Sequence, residues 1–574
     1  MFQIVVTLII YMLLVIPMGT YLYHIATKKR TLADPVFDRV DRFIYRLGGI
    51  DPDKGMGWKK YVMSLILTNA VMVFIGYLIL RIQALPIFNP NGIGAMESTL
   101  SFNTIISFIT NTNLQHYSGE SGLSYLSQML VIIFMMFTSA ASGFAACVAF
   151  VRGLAGKEKT MGNFYVDFVR IITRIFLPLS ILVGLLLVWQ GVPQNLNANV
   201  TVNTIEGKLQ DIAMGPIAAL ESIKHLGTNG GGFLGANSAT PLENPTILSN
   251  IIELYSMMIL PGACVIMFGK MVRNRKKQEN GIAKPKRSML GSEGRTVFAA
   301  MGIMFLIGLF VCYFAEKAGN PALEQAGLSQ SMGSMEGKEV RFGIGQSALF
   351  TTATTSFTTG TVNNMHDTLT PIGGMIPLLN MMLNLVFGGK GVGLMNMIMY
   401  VILTVFICGL MIGRTPEYLG KKIEGKEMKL TALCIIIHPL LILASSALAV
   451  GTQAGIEGIT NPGFHGFTQV LYEYASSAAN NGSGFEGLAD NTYFWNITTG
   501  LVMFFGRYLS IIIQMAIAGS LMKKQFVNKT IGTLRTDTKI FTIALVLIVY
   551  IFAALTFFPV LSLGPVAEHL TLWN

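Results

Sequence analysis

The chain has 574 residues, of which 52% are hydrophobic and only 12% are charged, whereas an ordinary soluble domain has about 25% charged residues. This composition excludes a soluble enzyme, a disordered protein and a disulfide-rich secreted scaffold, and it predicts an all-α polytopic membrane protein. The net charge of +11 does not indicate a nucleic-acid partner, because the basic residues lie in short loops beside apolar runs, where they would face the anionic lipid bilayer.

A helix needs about 20 apolar residues to cross the hydrocarbon core of a bilayer. Ten segments meet this criterion and are predicted transmembrane helices: 2–23, 60–82, 123–151, 170–191, 247–272, 294–316, 374–413, 430–450, 494–522 and 538–562. The seventh is too long for one straight span, and the glycine-rich stretch 388–393 interrupts it. We therefore predict one broken span, whose irregular middle is buried in protein or lines a wet cavity.

The basic residues are distributed unequally between the two sides of the predicted membrane. Of the 41 Lys and Arg residues, 33 lie in five stretches that fall on the same side: 24–62, 152–174, 270–295, 414–429 and 523–539. The positive-inside rule places these stretches in the cytoplasm. With ten crossings, both chain termini are predicted to lie outside the cell.

Four of the outer loops contain a semi-apolar stretch of helical length followed by a cluster of Thr, Asn and Gly. The clusters begin at Thr110, Thr228, Thr358 and Asn480 and therefore recur about every 120 residues. A fixed period indicates repeated units, here a span, a short half-helix, a polar loop and a second span. We predict four such units around a central pore, with an additional span at each end. The predicted segments are 1–23, 60–151, 170–272, 294–413, 430–522 and 538–562.

The polar clusters have the chemistry of a cation filter. A short helix that ends at the bilayer centre directs its negative dipole end there, which favours a cation. Gly and Asn tolerate positive φ angles, so successive carbonyl oxygens can face one axis and replace the hydration shell of an alkali cation. A surface turn is the alternative for any single cluster, but four at equal spacing favour a filter. The predicted filter residues are Asn111, Thr112, Asn113, Thr228, Asn229, Gly230, Thr359, Gly360, Thr361, Asn480, Asn481 and Gly482.

Two cations fall at membrane depth, away from the ends of their predicted spans: Lys390 in the broken span and Arg507 in the ninth. Charges at membrane depth are costly and indicate function. Each follows the filter cluster of its own unit, so both are predicted on the cytoplasmic side of the filter. We hypothesise that they form an electrostatic barrier, together with Gly389 and Gly391 of the break, and turn the ion sideways. A packing role, with the charge satisfied by helix-end carbonyls, is the alternative.

Six motifs are diagnostic as a set. They are FITNTNLQ (108–115), LGTNGGGFLGANSA (226–239), VNNMHD (362–367), IGRTPEYLGKKIE (412–424), SSAANNGSGFEG (476–487) and MAIAGSL (515–521). With these motifs the chain resembles, over essentially its whole length, the KdpA family, the potassium-binding and translocating subunit of the bacterial Kdp potassium-transporting ATPase.

The resemblance implies a fold of the superfamily of K⁺ transporters, K⁺ as the transported ion and a place in the bacterial cell membrane. It also implies three partners: a KdpB-like P-type ATPase subunit, a KdpC-like subunit and a small KdpF-like subunit. Gln115 matches a position that affects ion affinity in the family. The alternative is that Gln115 is a solvated amide at the outer mouth of the pore. Asn384 occupies a position where many family members carry an acidic residue. The resemblance therefore does not determine the exit route of the ion.

The residues themselves favour a non-catalytic subunit. The sequence contains no GxxxxGK[ST] phosphate loop and no DKTGT-type phosphorylation site, so ATP hydrolysis is expected on another chain. Three other functions stay open. A Trk/Ktr-like potassium transporter without an ATPase would lack the IGRTPEYLGKK loop, and a sodium-coupled symporter would show repeats of about five spans. A membrane scaffold with no ion path would tolerate Gly→Ala substitutions in all four clusters.

Overall fold

The computed structural model describes residues 2–31, 33–156, 159–279, 289–527 and 534–573. Within these ranges, ten helices are long and apolar enough to cross a membrane, which confirms the predicted all-α membrane class. In chain order they are span 1 (Phe2–Ala26), span 2 (Trp58–Ile82), span 3 (Tyr125–Ala155), span 4 (Phe164–Trp189), span 5 (Ile247–Arg273), span 6 (Ser292–Ala318), span 7 (Val392–Met411), span 8 (Gly425–Val450), span 9 (Tyr493–Lys523) and span 10 (Lys539–Leu561).

Four consecutive segments of the chain share one order of elements: a span, a short helix, a polar loop and a second span. The short helices are pore helix 1 (Ser98–Ile109), pore helix 2 (Ile217–Leu226), pore helix 3 (Gly343–Ser356) and pore helix 4 (Phe464–Ala479). In the third unit the chain returns through the helix Pro371–Leu383, an irregular segment and span 7. Spans 1 and 10 lie outside the four units.

The remaining elements are short and lie in the loops between the spans or after span 10. The short helices are Asp34–Leu47, Gly119–Gly122, Pro321–Gln325, Gln453–Ile456 and Ala567–Trp573. Two antiparallel hairpins pair Val200–Asn203 with Leu209–Ile212 and Glu417–Tyr418 with Lys421–Lys422. The second hairpin lies in the IGRTPEYLGKK motif, and its two turn residues, Leu419 and Gly420, both have positive φ, as a type I′ turn requires.

The packing separates a protein-facing centre from a lipid-facing rim. Spans 3 and 5 are mostly buried inside the protein, whereas less than a third of the most apolar part of spans 1, 2 and 8 is buried. Span 1 packs along span 5, and at Gly19 an added Cβ would lie 2.6 Å from the Ile266 Cγ2. The centre of the molecule is therefore built from the four pore helices and the spans that return from them.

One buried arginine fastens the helix Asp34–Leu47 to span 4. Arg174 is fully buried, and its guanidinium contacts three carboxylates on one face of that helix. The Nε atom lies 3.0 Å from Asp34 Oδ1, Nη2 lies 2.6 Å from Asp38 Oδ1, and Nη1 lies 2.5 Å from Asp41 Oδ2. The loop between spans 1 and 2 is thus held by a charge network rather than by apolar packing.

We expect Arg174→Gln to lower the free energy of unfolding by about 3 kcal/mol, because removing the guanidinium leaves the buried carboxylate of Asp41 without its ion-pair partner. The midpoint of thermal unfolding of the detergent-purified protein measures this change. Arg42→Gln, at an exposed position of the same helix, is the matched control and is expected to leave the midpoint unchanged. Equal midpoints for the two variants would contradict the assigned role of Arg174.

Candidate ion-binding site

All four pore helices end with the same backbone turn. In the turn that follows each helix, one residue has a positive φ angle, as in left-handed backbone: Asn111 (φ 65°), Thr228 (φ 43°), Thr358 (φ 50°) and Asn480 (φ 55°). The amide of the next residue then donates a hydrogen bond to the helix carbonyl five residues earlier. These bonds are Thr112 N to Ser107 O (2.9 Å), Asn229 N to Lys224 O (2.9 Å), Thr359 N to Thr354 O (2.8 Å) and Asn481 N to Ser476 O (3.0 Å). Four different polar clusters therefore share one local structure.

The position of the turn also determines how the residues of the third strand align with those of the other three. Its left-handed residue is Thr358, which begins the third polar cluster but precedes Thr359, the first filter residue predicted there, so Thr358 was missing from the predicted filter residues. A β-branched residue in the left-handed region is strained by about 1–2 kcal/mol, and such strain clusters at functional sites. The signal that could have identified Thr358 is its position directly after the apolar stretch of pore helix 3, which matches that of Thr228 after pore helix 2.

The strands that leave the four turns meet at one place. The amide of Gly230 donates to Thr112 O at 3.2 Å. A Cβ added at Gly230 would lie 2.7 Å from the Gly482 Cα and 2.8 Å from Asn481 O, and one added at Gly360 would lie 2.7 Å from the Gly230 Cα. Residues of all four units thus come into contact, and the approach is too close for any side chain at the three glycines.

Some side chains of the strands form hydrogen bonds to the next unit, and others have polar atoms without a hydrogen-bond partner. Asn111 Nδ2 donates to Thr228 O at 2.8 Å, and Asn480 Nδ2 donates to Thr112 Oγ1 at 2.9 Å. Among the described residues, the buried side-chain oxygens without a hydrogen-bond partner include Asn113 Oδ1, Asn229 Oδ1 and Thr359 Oγ1. Buried polar atoms are nearly always paired, so free oxygens at the meeting point have the chemistry of cation ligands.

Gln115 connects the first strand to the loop after the second. Its Oε1 accepts from Gly232 N at 2.9 Å, and its Nε2 donates to Gly232 O at 3.0 Å and to Tyr117 Oη at 3.1 Å. The amide is therefore fully partnered within the protein, in contrast to a solvated amide at the mouth. Both polar atoms of Gln115 hold the backbone of a neighbouring unit.

Lys390 lies directly against the helix side of the strands. Its buried Nζ donates to Asn111 Oδ1 at 3.0 Å and to Thr228 Oγ1 at 2.9 Å, the side chains of two of the four turns. A small cavity of about 10 Å³ is lined by Lys390, Arg507, Thr358 and Asn480, among others. The two cations that the sequence placed in spans therefore face one space below the strands.

The irregular segment 384–391 passes under pore helix 3. Gly389 N donates to Phe357 O at 2.7 Å, and the Phe357 ring stacks on that of Phe387 at 4.8 Å. Gly389 and Gly391 both have positive φ (53° and 106°), and a Cβ at Gly391 would overlap the thiol of a cysteine in span 3. Gly389 thus supplies a left-handed turn before Lys390, and the missing side chain of Gly391 lets the segment approach span 3 directly after it.

A second cavity adjoins the space below the strands. It has a volume of about 60 Å³ and shares Arg507, Asn480 and Val392 with the smaller cavity. Its other lining residues come mainly from spans 7, 8, 9 and 10. Asn384 is among them, and it accepts from Thr358 Oγ1 at 3.4 Å and donates to Ala479 O at 3.3 Å. The sequence pattern carried no signal for this cavity.

Outside the strands, a histidine is paired with acidic side chains. His116 Nδ1 lies 2.7 Å from Asn496 Oδ1, and His116 Nε2 lies 3.2 Å from Glu473 Oε1 and 3.9 Å from Asp490 Oδ2. Burial alone would lower the pKa of His116, but Asp490 and Glu473 outweigh it and raise the pKa to about 9. The imidazolium fills the space between these carboxylates and joins the first unit to the fourth.

Comparisons with known proteins agree with this architecture. The family model KdpA, Potassium-transporting ATPase A subunit, matches residues 5–570. A relative from Clostridium acetobutylicum, named potassium-transporting ATPase potassium-binding subunit, is 59% identical and is covered over 99% of both chains. A relative of the same name from Geobacillus kaustophilus is 55% identical, over 99% of this chain and 98% of its own.

A solved structure shares the fold. The crystal structure of the potassium transporter TrkH from Vibrio parahaemolyticus has a TM-score of 0.51 and 15% sequence identity, over 89% of this chain and 98% of TrkH. The resemblance inferred from the sequence motifs is confirmed by the family model and by relatives that share more than half of their residues. The chain belongs to the KdpA family, the potassium-transporting ATPase A subunits.

Proposed function

We propose that the four strands form a K⁺ filter, and that this chain binds external K⁺ there and delivers it to the P-type ATPase subunit of a high-affinity uptake complex. The observation that carries the proposal is the fourfold recurrence of one backbone turn at the ends of four pore helices. Backbone carbonyls of four such strands around one axis can replace the hydration shell of K⁺.

The charges around the strands suit a monovalent cation. Each pore helix directs the negative end of its dipole toward the meeting point. Among the filter residues themselves, the unpartnered oxygens belong to amides and hydroxyls rather than carboxylates. A carboxylate in the path would hold a desolvated cation too strongly for release, so neutral oxygens fit both tight binding and onward transport.

The path below the filter is proposed to turn sideways. The Lys390 ammonium and the Arg507 guanidinium face the small cavity under the strands, where they repel a cation that continues straight toward the cytoplasm. The larger cavity between spans 7, 8, 9 and 10 shares its lining with that space. We propose that this cavity is the start of the route by which K⁺ leaves the filter toward the ATPase subunit.

The complex is proposed to place ATP hydrolysis on a partner chain. The relatives are named as potassium-binding subunits of a potassium-transporting ATPase, so an ATPase subunit, KdpB-like in the family, is the first partner. KdpC-like and KdpF-like subunits are further proposed partners. We also propose that both chain termini lie outside the cell, because the five basic stretches then face the cytoplasm.

Expression of this chain together with the ATPase-subunit gene tests the proposal. We expect the two chains to co-purify and the complex to hydrolyse ATP in response to K⁺ at micromolar concentration. Transport of K⁺ by the purified chain alone, without an ATPase, would favour the Trk/Ktr-like alternative and contradict the proposal. Failure of K⁺ to stimulate an intact complex would also contradict it.

We expect Gln115→Leu to weaken the K⁺ affinity of the complex about tenfold. The substitution removes both hydrogen bonds to Gly232 and leaves a backbone donor and acceptor unpaired, at about 1–3 kcal/mol for an unsatisfied group. The half-saturating K⁺ concentration of ATP hydrolysis measures the effect. An unchanged value would indicate that the amide does not support the second strand.

A further inference from the structure

The helix Asp34–Leu47, between spans 1 and 2, buries acidic residues and exposes apolar ones. Its two buried residues are Asp34 and Asp41, whereas four large apolar side chains are 44% to 80% exposed: Val36, Val40, Phe43 and Leu47. At about 100° per residue, these four side chains fall within about 60° of one another around the helix axis. They form one continuous strip, the apolar stripe.

The charged side chains of this helix are sorted into two further faces. The three aspartates that contact Arg174 of span 4 lie about 150° from the centre of the apolar stripe. Three exposed arginines border the stripe on one side: Arg39, Arg42 and Arg46. Among the described residues, no carboxylate forms an ion pair with these three guanidinium groups. The helix therefore presents apolar and cationic surface away from the protein.

The contacts of the aspartates determine how the helix crosses span 4. Arg170 Nη2 and Arg174 Nε lie 3.7 and 3.0 Å from Asp34 Oδ1, and Thr173 Oγ1 donates to Asp41 Oδ1 at 3.1 Å. Asp34 and Asp41 are separated by about 10.5 Å along their helix, yet both contact about one turn of span 4. Two helices running side by side would place these contacts two turns apart. The helix therefore crosses span 4 and lies close to the plane of the membrane.

The crossing point lies at the level of the membrane surface. Tyr21 Oη donates to Arg174 O at 2.7 Å, and Tyr21 lies about 7.5 Å before the end of span 1 at Ala26. Span 1 has 25 residues, about 37 Å, and therefore exceeds the hydrocarbon core of about 30 Å. Its last turn reaches the headgroups, so the helix that contacts Arg174 lies at the boundary between headgroups and acyl chains.

This location favours lipid as the occupant of the apolar stripe. Spans 1 and 2, which flank the helix in the chain, are themselves mostly unburied in their most apolar parts, so lipid covers the neighbouring surface. Helices that lie in the membrane surface combine an apolar face, which enters the acyl boundary, with arginine or lysine on the polar side. Arginines at this depth attract the phosphates of anionic lipids.

We propose that the helix Asp34–Leu47 is a binding surface for anionic phospholipid. The apolar stripe lies among the acyl chains, and Arg39, Arg42 and Arg46 contact the headgroup phosphates. Arg174 holds the helix at this level through its aspartates, so the surface is formed before lipid binds. The inference concerns the lipid around the chain and is independent of the K⁺ filter.

Quenching of a local fluorescent label tests the proposal. A bimane label is attached to Phe43→Cys in the full chain, which is reconstituted into nanodiscs of phosphatidylcholine and phosphatidylglycerol. The same number of lipid molecules carries bromine, which quenches a nearby label, in one lipid or in the other. We expect both brominated lipids to quench, and brominated phosphatidylglycerol to quench at least about twofold more, because anionic lipid accumulates beside the arginines. The parent chain gives the background from its five cysteines.

Three controls make the result local. A label at Val71→Cys, an exposed position in the middle of span 2, is expected to be quenched equally by the two brominated lipids. A label at Ile205→Cys, an exposed apolar residue in the turn of the first hairpin, is expected to remain unquenched. Replacing all three arginines by glutamine is expected to keep quenching at Phe43→Cys but to abolish the preference for phosphatidylglycerol.

The outcomes separate lipid from a protein occupant. An unquenched label at Phe43→Cys, or equal quenching by the two lipids with the arginines present, would overturn the proposal. The same measurement is repeated with the ATPase subunit bound. Retained quenching and preference support the proposal, whereas their loss would assign the apolar stripe to the partner subunit and overturn it.

Discussion

Gly482→Ala is expected to weaken the K⁺ affinity of the complex by at least about 100-fold, which corresponds to about 2.7 kcal/mol. The added Cβ would overlap the carbonyl oxygen of Thr112 and lie 2.9 Å from the Gly230 Cα. These are backbone atoms of two other strands, so no side-chain rotation can relieve the contact. Gly482 also has a φ of 98°, a conformation that L-residues rarely adopt.

The same strand offers a matched control for this substitution. Gly484 lies two residues further along, and a Cβ added there meets no atom within 4 Å. Gly484→Ala is therefore expected to leave the affinity within about twofold of the parent, since it keeps the same change in composition without the overlap. K⁺-stimulated ATP hydrolysis over a K⁺ titration measures both variants. Equal K⁺ affinities of the two variants would contradict the assignment of the strands as a K⁺ filter.

Lys390→Met is expected to open a passive K⁺ leak, raising flux without ATP at least about tenfold. The ammonium lies within 3.0 Å of two side chains at the base of the filter. Two unit charges at 4 Å interact with about 4 kcal/mol at an effective dielectric constant of 20, so removing one lowers the barrier for an ion below the strands. Methionine keeps an unbranched side chain of similar length.

K⁺ efflux from liposomes that contain the purified complex measures the leak. Lys390→Arg keeps the positive charge and is expected to show no passive K⁺ leak. Lys270→Met removes a partly buried lysine near the end of span 5, where it contacts Thr20, and is expected to show no leak. If Lys390→Met shows no more K⁺ leak than the parent and still couples ATP hydrolysis to uptake, Lys390 has a packing role and does not form the barrier.

Local chemistry explains why several features could be predicted from the sequence. The ten apolar helices follow from composition and length, because a bilayer imposes one span length on every crossing. The interruption of the seventh span follows from the glycine-rich stretch 388–393. The repeated Thr, Asn and Gly clusters mark the ends of the pore helices, and the Asn and Gly residues in them tolerate left-handed backbone. Asn111 and Asn480 are examples that the structure places at such turns.

Contacts between distant parts of the chain could not be predicted in this way. No sequence pattern pairs His116 with Glu473, or Arg174 with three aspartates of another segment, because such pairs depend on how helices pack. The threonine at 358 is a turn residue only because pore helix 3 ends at Ser356, and helix ends are set by tertiary packing as much as by local signals.

By itself, the sequence determined the class of the protein, its number of spans, its fourfold repeat and its family, because each depends on residue types and their spacing along the chain. Only the tertiary structure decided which oxygens remain unpartnered at the meeting point, that Lys390 contacts two of the four turns, and that a cavity lies between spans 7 to 10. Those features depend on distances between units that are about 120 residues apart, and such distances exist only once the helices have packed.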